Sequence, residues 1–174
     1  MRKACALLLV TAALIGAAAA HAAAATITVS PGGTIVAAIR GLGFEGIVIP
    51  LFTCNVTLTG TLARGPIRLA ARIGSISEVR TSECSGGHTA AASGLPWALT
   101  GETALTCPSE STGLLATLPA TFTLDGILTG AGSMGVLFAS ASNAFVVLFS
   151  RLSNGVVILG RGGIYTQVQI FRCE

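Results

Sequence analysis

The chain has 174 residues, of which 52% are hydrophobic, 10% charged and only 5% aromatic; that length accommodates one domain rather than several. Ten basic residues stand against seven acidic ones, for a formal net charge of +3. The basic residues have no aromatics interleaved among them, which argues against nucleic acid as a partner.

The amino terminus reads as a targeting segment. Arg2 and Lys3 precede an uncharged apolar tract at 4–19, and Ala20-His21-Ala22 supplies small residues in an A-x-A cleavage pattern. The expectation is a signal peptide at 1–25, cleaved near Ala22 to Ala25, followed by a single all-β secreted domain at 26–174. The tract is short of the roughly 20 apolar residues a membrane-spanning helix needs, so no stable span is expected after cleavage. Cys5 precedes most of the apolar tract and so does not suit a lipoprotein cysteine. Without Arg2 and Lys3 the basic set is eight arginines and no lysine, and all seven acids remain. Arg64, Arg68 and Arg72 recur every fourth residue, but Gly65, Pro66 and Gly74 speak against a stable helix, and the reading is a solvated face or loop.

Export places the remaining cysteines, Cys54, Cys84, Cys107 and Cys173, in an oxidising milieu. Their number is even and no pair has C-x-x-C spacing, so two disulfides are expected rather than a metal site or a redox motif. Sequential pairing, Cys54 with Cys84 and Cys107 with Cys173, is preferred among the three connectivities, because neighbouring strands are often sequential.

Along the chain, strands separated by glycine dominate. Residues 26–29 alternate, Ser30-Pro31-Gly32-Gly33 reads as a turn, and 34–39 as a buried strand. In 47–62 the strand pattern breaks at Pro50; beyond it Cys54, Val56, Leu58 and Leu62 share one parity and threonines fill most of the other. At 97–107, Trp97, Leu99, Leu105 and Cys107 share a face, and Asp125-Gly126 marks a turn after Phe122 and Leu124. The apolar stretch 134–149 is read as two strands joined at Ser142-Asn143, with "FVVLF" buried on both faces. Finally, 156–159 and 164–170 form a closing hairpin across a Gly160-Arg161-Gly162-Gly163 turn. The fold class expected is all-β, an antiparallel β-sandwich or partial barrel stapled by two disulfides.

Several patterns invite a catalytic reading and fail on context. Gly41-Leu-Gly43-Phe-Glu-Gly46 matches the dinucleotide fingerprint in letters, but β-branched residues and Pro50 follow where a helix is required, so it reads as a glycine-rich turn. Ala131-Gly-Ser133-Met-Gly135 resembles a relaxed nucleophile elbow, with His88 and Asp125 as nominal partners. A hydrolase of that type places its acid and histidine after the serine, and here both precede it. Glu78 with Glu83, and Glu102 with Glu110, are the carboxylate pairs a glycosidase would need, and they read as solvated loop residues. Asn55-Val-Thr57 is a formal glycosylation sequon whose residues strand alternation already explains. With one histidine after the leader, no metal site and no cofactor are expected. Trp97, in "SGLPWALT", has two readings: a core plug beside a disulfide, or a flat apolar face offered to a sugar, lipid or hydrocarbon.

Taken in order, "TITVSPGGT", "IPLFTCNVTLTGTL", "SECSGG" and "ASGLPWALT" followed by a third cysteine resemble the small secreted bacterial protein activators of alkane oxidation, the Pra type. That family carries a C-x-(V/A)-T-(L/F)-x-G strand, here Cys54 to Gly60, then a cysteine and an L-P-W segment. The similarity covers roughly residues 26–110. It implies a secreted, non-catalytic accessory or cell-surface protein that engages hydrophobic substrates or envelope components, and it carries over no catalytic residues. Self-association into a matrix is the structural variant, and a small hydrolase using Ser133 or a carboxylate pair is the competing class.

Overall fold

A computed structural model describes residues 27–30, 32–46, 51–106, 113–139, 144–164 and 171–173. The expected signal peptide and the strand start at Ile47 to Pro50 lie outside the described residues. Twelve strands follow one another: β1 (Ile27–Val29), β2 (Gly33–Glu45), β3 (Phe52–Leu62), β4 (Gly65–Pro66), β5 (Arg72–Ser82), β6 (Ala90–Ser93), β7 (Trp97–Thr106), β8 (Gly113–Leu124), β9 (Leu128–Ala139), β10 (Ala144–Arg151), β11 (Val157–Ile164) and β12 (Phe171–Cys173). One 3-10 turn, Ser85–Gly87, lies between β5 and β6.

The long strands pair antiparallel with their neighbours in sequence, β2 with β3, β3 with β5, β5 with β7, and so on to β10 with β11. Pairing of β11 back onto β2, from Val157 opposite Glu45 to Ile164 opposite Ala37, then closes the wall. The result is an up-and-down barrel of eight strands, neither a sandwich nor a partial barrel. Closure gives every wall strand a partner on each side, though β5 meets β7 only from Arg72 to Ile76, whereas a sandwich leaves strands open at its margins. Strand β6 is a short addition along the far half of β8. Strands β12, β1 and β4 form a separate small sheet at one end of the wall.

Period-two alternation explains the interior. All six even positions of β8 from Leu114 to Leu124 are fully buried, as are Cys54, Val56 and Leu58 of β3, while the threonines of β3 face outward. An eight-stranded barrel is just wide enough for side chains to fill, and here Phe44, Phe52, Trp97, Phe122 and Phe138 fill it. The inner positions are apolar, unlike the aqueous lumen of a porin-type barrel. Stretch 134–149 does form two strands, but "FVVLF" has one buried face only: Val147 points inward and Leu148 is 37% exposed. A barrel wall has a single inner side, so both-face burial is not available there.

Both glycine-rich segments expected to be turns lie inside strands. Gly41 (φ 74°) sits in a bulge of β2, where the register jumps from Ile39 opposite Val56 to Leu42 opposite Cys54. Gly162 lies so near β2 that a Cβ there would meet the Ala38 carbonyl oxygen at 2.0 Å. These segments bend and tighten the wall instead of reversing the chain. Bulges also shift the β10 register between Val147 and Ser150, where the buried Ser150 hydroxyl donates to Leu148 O (2.8 Å) and accepts the Gly135 N–H (3.1 Å).

Candidate functional site

The carboxyl end of β5 folds over the barrel at the end where β3 begins. A disulfide joins Cys54 to Cys84 there, with Cα atoms 4.0 Å apart, as the sequential pairing expects. Among the described residues this is one disulfide where the cysteine count led to two. Cys107 lies outside the described residues, and of Cys173 the structure gives the backbone, opposite Ile27. Cys54 is therefore a staple, buried on the inner face of its strand.

Around the staple the polar groups close on one another. Asn55 donates through Nδ2 to Glu83, whose backbone has φ 49°, and its Oδ1 accepts the Gly41 N–H of the β2 bulge at 3.2 Å. One amide thus fastens two irregular backbone segments to β3. Ser85 Oγ accepts the Thr53 N–H at 3.0 Å. His88 stacks on Phe52, ring centroids 4.7 Å apart, and its Nδ1 lies 2.9 Å from Asp125 Oδ2. A carboxylate only accepts, so Nδ1 carries the proton. The second Asp125 oxygen accepts the Thr89 N–H at 2.8 Å. The Thr89 hydrogen bond first, then the His88 bond, and least the imidazole's charge hold Asp125 below the ordinary aspartate value of 3.8, against a small opposing effect of burial. Asp125 occupies the β8–β9 turn with φ 50°, followed by Gly126 at φ 71°, a pair of conformations that Asp-Gly adopts readily.

Of the three nominal hydrolase residues, the fold brings His88 and Asp125 together and leaves Ser133 apart. Ser133 lies opposite Pro119, five positions along β9 from the Leu124–Leu128 pair at the turn, roughly 17 Å of strand. The carboxylate pairs are not assembled either. Glu78 is bound by Arg80 at 2.6 Å, Glu83 by Asn55, and the two stand five positions apart along and just past β5, roughly 17 Å against the 5–10 Å a glycosidase uses. Glu102 accepts from Thr117 Oγ1 at 2.6 Å, and Glu110 lies outside the described residues. Among the described residues, no cluster of three or more histidine, cysteine or acidic groups is placed to hold a metal ion.

Trp97 is 1% exposed. Its indole N–H donates to Ser93 O (2.8 Å), and its ring meets Phe122 edge-on at 5.5 Å. The ring is a core plug, so the reading of Trp97 as a binding face is corrected. Phe122 in turn meets Phe44 at 5.3 Å, and Phe44 stacks on Phe52 at 5.2 Å. An unbroken aromatic column thus runs from Trp97 in the core to His88 at the rim.

With the interior filled, the outside of the wall is what remains for contact. Leu51 (61% exposed), Leu148 (37%) and Leu159 (45%) lie there together. A Cβ on Gly43 would contact Leu51 and Leu159 at 3.5 and 3.9 Å, and one on Gly135 would contact Leu148 at 3.6 Å. The three leucines therefore form a stripe across β9, β10, β11, β2 and the start of β3, flanked by the half-buried Leu137 and Val146. No sequence signal marks it, because "FVVLF" and "VVILG" read equally well as strands buried on both faces. No family model, curated protein or solved structure matches the chain.

Proposed function

We propose that this chain is an exported, non-catalytic accessory protein that adheres to hydrophobic material through the leucine stripe on the outside of its barrel. The observation that carries this reading is the stripe itself, exposed aliphatic side chains in one contiguous patch over a fully packed interior. Contiguous apolar surface of this kind marks a contact site more often than scattered leucines do. The disulfide suits an oxidising, extracellular setting. Among the described residues no helix is long and apolar enough to cross a membrane. The resemblance to the Pra-type activators supplies the substrate class, hydrocarbon-like rather than glycan. Closure of the wall weighs against the matrix variant, since fibres grow most readily from free strand edges.

The test is adsorption of the purified, oxidised protein onto hexadecane droplets. Saturable adsorption is expected for the wild type. In the Leu148→Ser/Leu159→Ser double variant it should be weakened by more than about tenfold with circular dichroism unchanged, because two aliphatic side chains lose their burial at the interface. Absence of wild-type adsorption, or equal adsorption by the double variant, would remove the stripe from the function.

A further inference from the structure

The loop between β3 and β5 gathers Arg64, Arg68 and Arg72 around one cleft of about 150 Å³, floored by Val29, Ile67 and Ile73. The sequence pattern reads this series as a solvated face or loop. The chain path makes it a wall. Strand β4 is held against β1, Thr28 opposite Pro66 and Val29 opposite Gly65. The far side of the loop is clamped to β7 by Ala70 N–H to Gly101 O (2.7 Å) and Gly101 N–H to Ala71 O (3.1 Å). Gly101 leaves room for the floor, since a Cβ there would stand 3.3 Å from both Ile67 and Ile73. Ala71 N–H closes the turn onto Arg68 O at 3.2 Å, and Arg72 Nε donates to Gly74 O at 3.2 Å.

Among the described residues the charge balance of the cleft is one-sided, for none of those that line it is acidic. Among the described residues the ion pairs are Arg80 with Glu78 and His88 with Asp125, so none of the three cleft arginines has a carboxylate within ion-pair distance. Glu102, next in sequence to the Gly101 that clamps the loop, is engaged by Thr117. In the small sheet Arg172 occupies the register position opposite Thr28, on the strand beyond β1. Three guanidiniums within nine residues repel one another unless an anion sits among them, and guanidinium forks match carboxylate, sulfate and phosphate oxygens. The aliphatic floor adds a second requirement that a bare inorganic ion does not meet.

We infer that this cleft binds an amphipathic oxyanion, a small acid whose charged group meets Arg64 and Arg68 while its hydrocarbon stem lies over Ile67 and Ile73. The cleft lies past the end of β3, whereas Leu51 precedes its start, so the inference is independent of the leucine stripe. The experiment is equilibrium dialysis of octanoate, octanol and sulfate against the oxidised protein, with wild type, Arg64→Gln/Arg68→Gln and Leu148→Ser/Leu159→Ser compared. Circular dichroism and thermal melting verify that each variant is folded. One saturable octanoate site is expected. The arginine variant should weaken it by about tenfold or more, through loss of hydrogen bonds to a charged group, rising salt should weaken it as well, and the leucine variant should leave it intact. Absence of saturable octanoate binding by the folded wild type, or equal binding by the arginine variant, would overturn the site. Octanol bound as tightly as octanoate would overturn the role of the arginines, and sulfate bound as tightly as octanoate would overturn that of the floor.

Discussion

The two ends of β3 treat charge in opposite ways. Where the strand begins, the polar groups of the rim are spoken for: Glu83 by Asn55, Asp125 by His88 and Thr89, Ser85 by Thr53, and a disulfide holds the covering loop down. Where it ends, three arginines line a cleft with no acid among its described lining residues. A rim whose donors and acceptors satisfy each other is built to stay shut, while like charges held apart by a clamped loop are built to receive something. The difference lies in residue type as well as packing, for the first loop mixes Glu83, Ser85 and His88 while the second carries arginines among apolar residues.

Severing the staple should have the largest effect on this contrast. Cys54→Ser/Cys84→Ser, or reduction of the wild type, opens a loop whose ends are 30 residues apart and should lower stability by roughly 3–4 kcal/mol on chain-entropy grounds. Urea unfolding with and without reductant measures it; reductant should bring the wild type to the variant's midpoint and leave the variant unmoved. Asn55→Ala should follow at about 1 kcal/mol, because it strips a partner from both the Glu83 carboxylate and the Gly41 N–H. Asp125→Asn should lower the melting temperature by less, and in a pH-dependent way. The folded-state value of Asp125 is depressed, so its contribution is fully present above the ordinary 3.8 and is lost as pH falls through the lower folded value. Melting curves of wild type and variant should therefore differ at neutral pH and converge in acid. Smallest of all, Arg68→Gln should change stability by no more than about 0.5 kcal/mol, the usual bound for an exposed position, and in the direction of a gain, since it relieves repulsion. A loss on the scale of Asn55→Ala would mean that the arginine loop is structural after all and that the contrast between the ends is not real.

Legibility in the sequence followed regularity. Strand β3 alternates without interruption, so its inner face was readable, as were Trp97 and Leu99 of β7 from their parity and the Asp125-Gly126 turn from its dipeptide, while the partner of Cys54 was one preference among three connectivities. Strand β5 was invisible. Bulges against both neighbours space its buried Ile73 and Ile76 three apart, a period that belongs to neither a simple strand nor a long helix. The glycine runs at 41–46 and 160–163 misled for a related reason: glycine marks close approach of two backbones as often as it marks a turn, and only three-dimensional neighbours such as Ala38 and Gly162 distinguish the cases. Closure depends on β2 meeting β11, a contact between distant parts of the chain that local patterning does not encode. The same holds for His88 and Asp125, 37 residues apart, and for the cleft, whose arginines look solvated until the loop is bent around a floor.

The aromatic column has a practical corollary. The chain contains a single tryptophan and a single tyrosine, and that tryptophan sits dry in the core while its ring contacts lead, neighbour by neighbour, to the rim. The molecule thus carries its own optical gauge: indole emission at short wavelength reports an intact interior, a shift to longer wavelength reports water reaching it, and every variant above can be followed without attaching a dye.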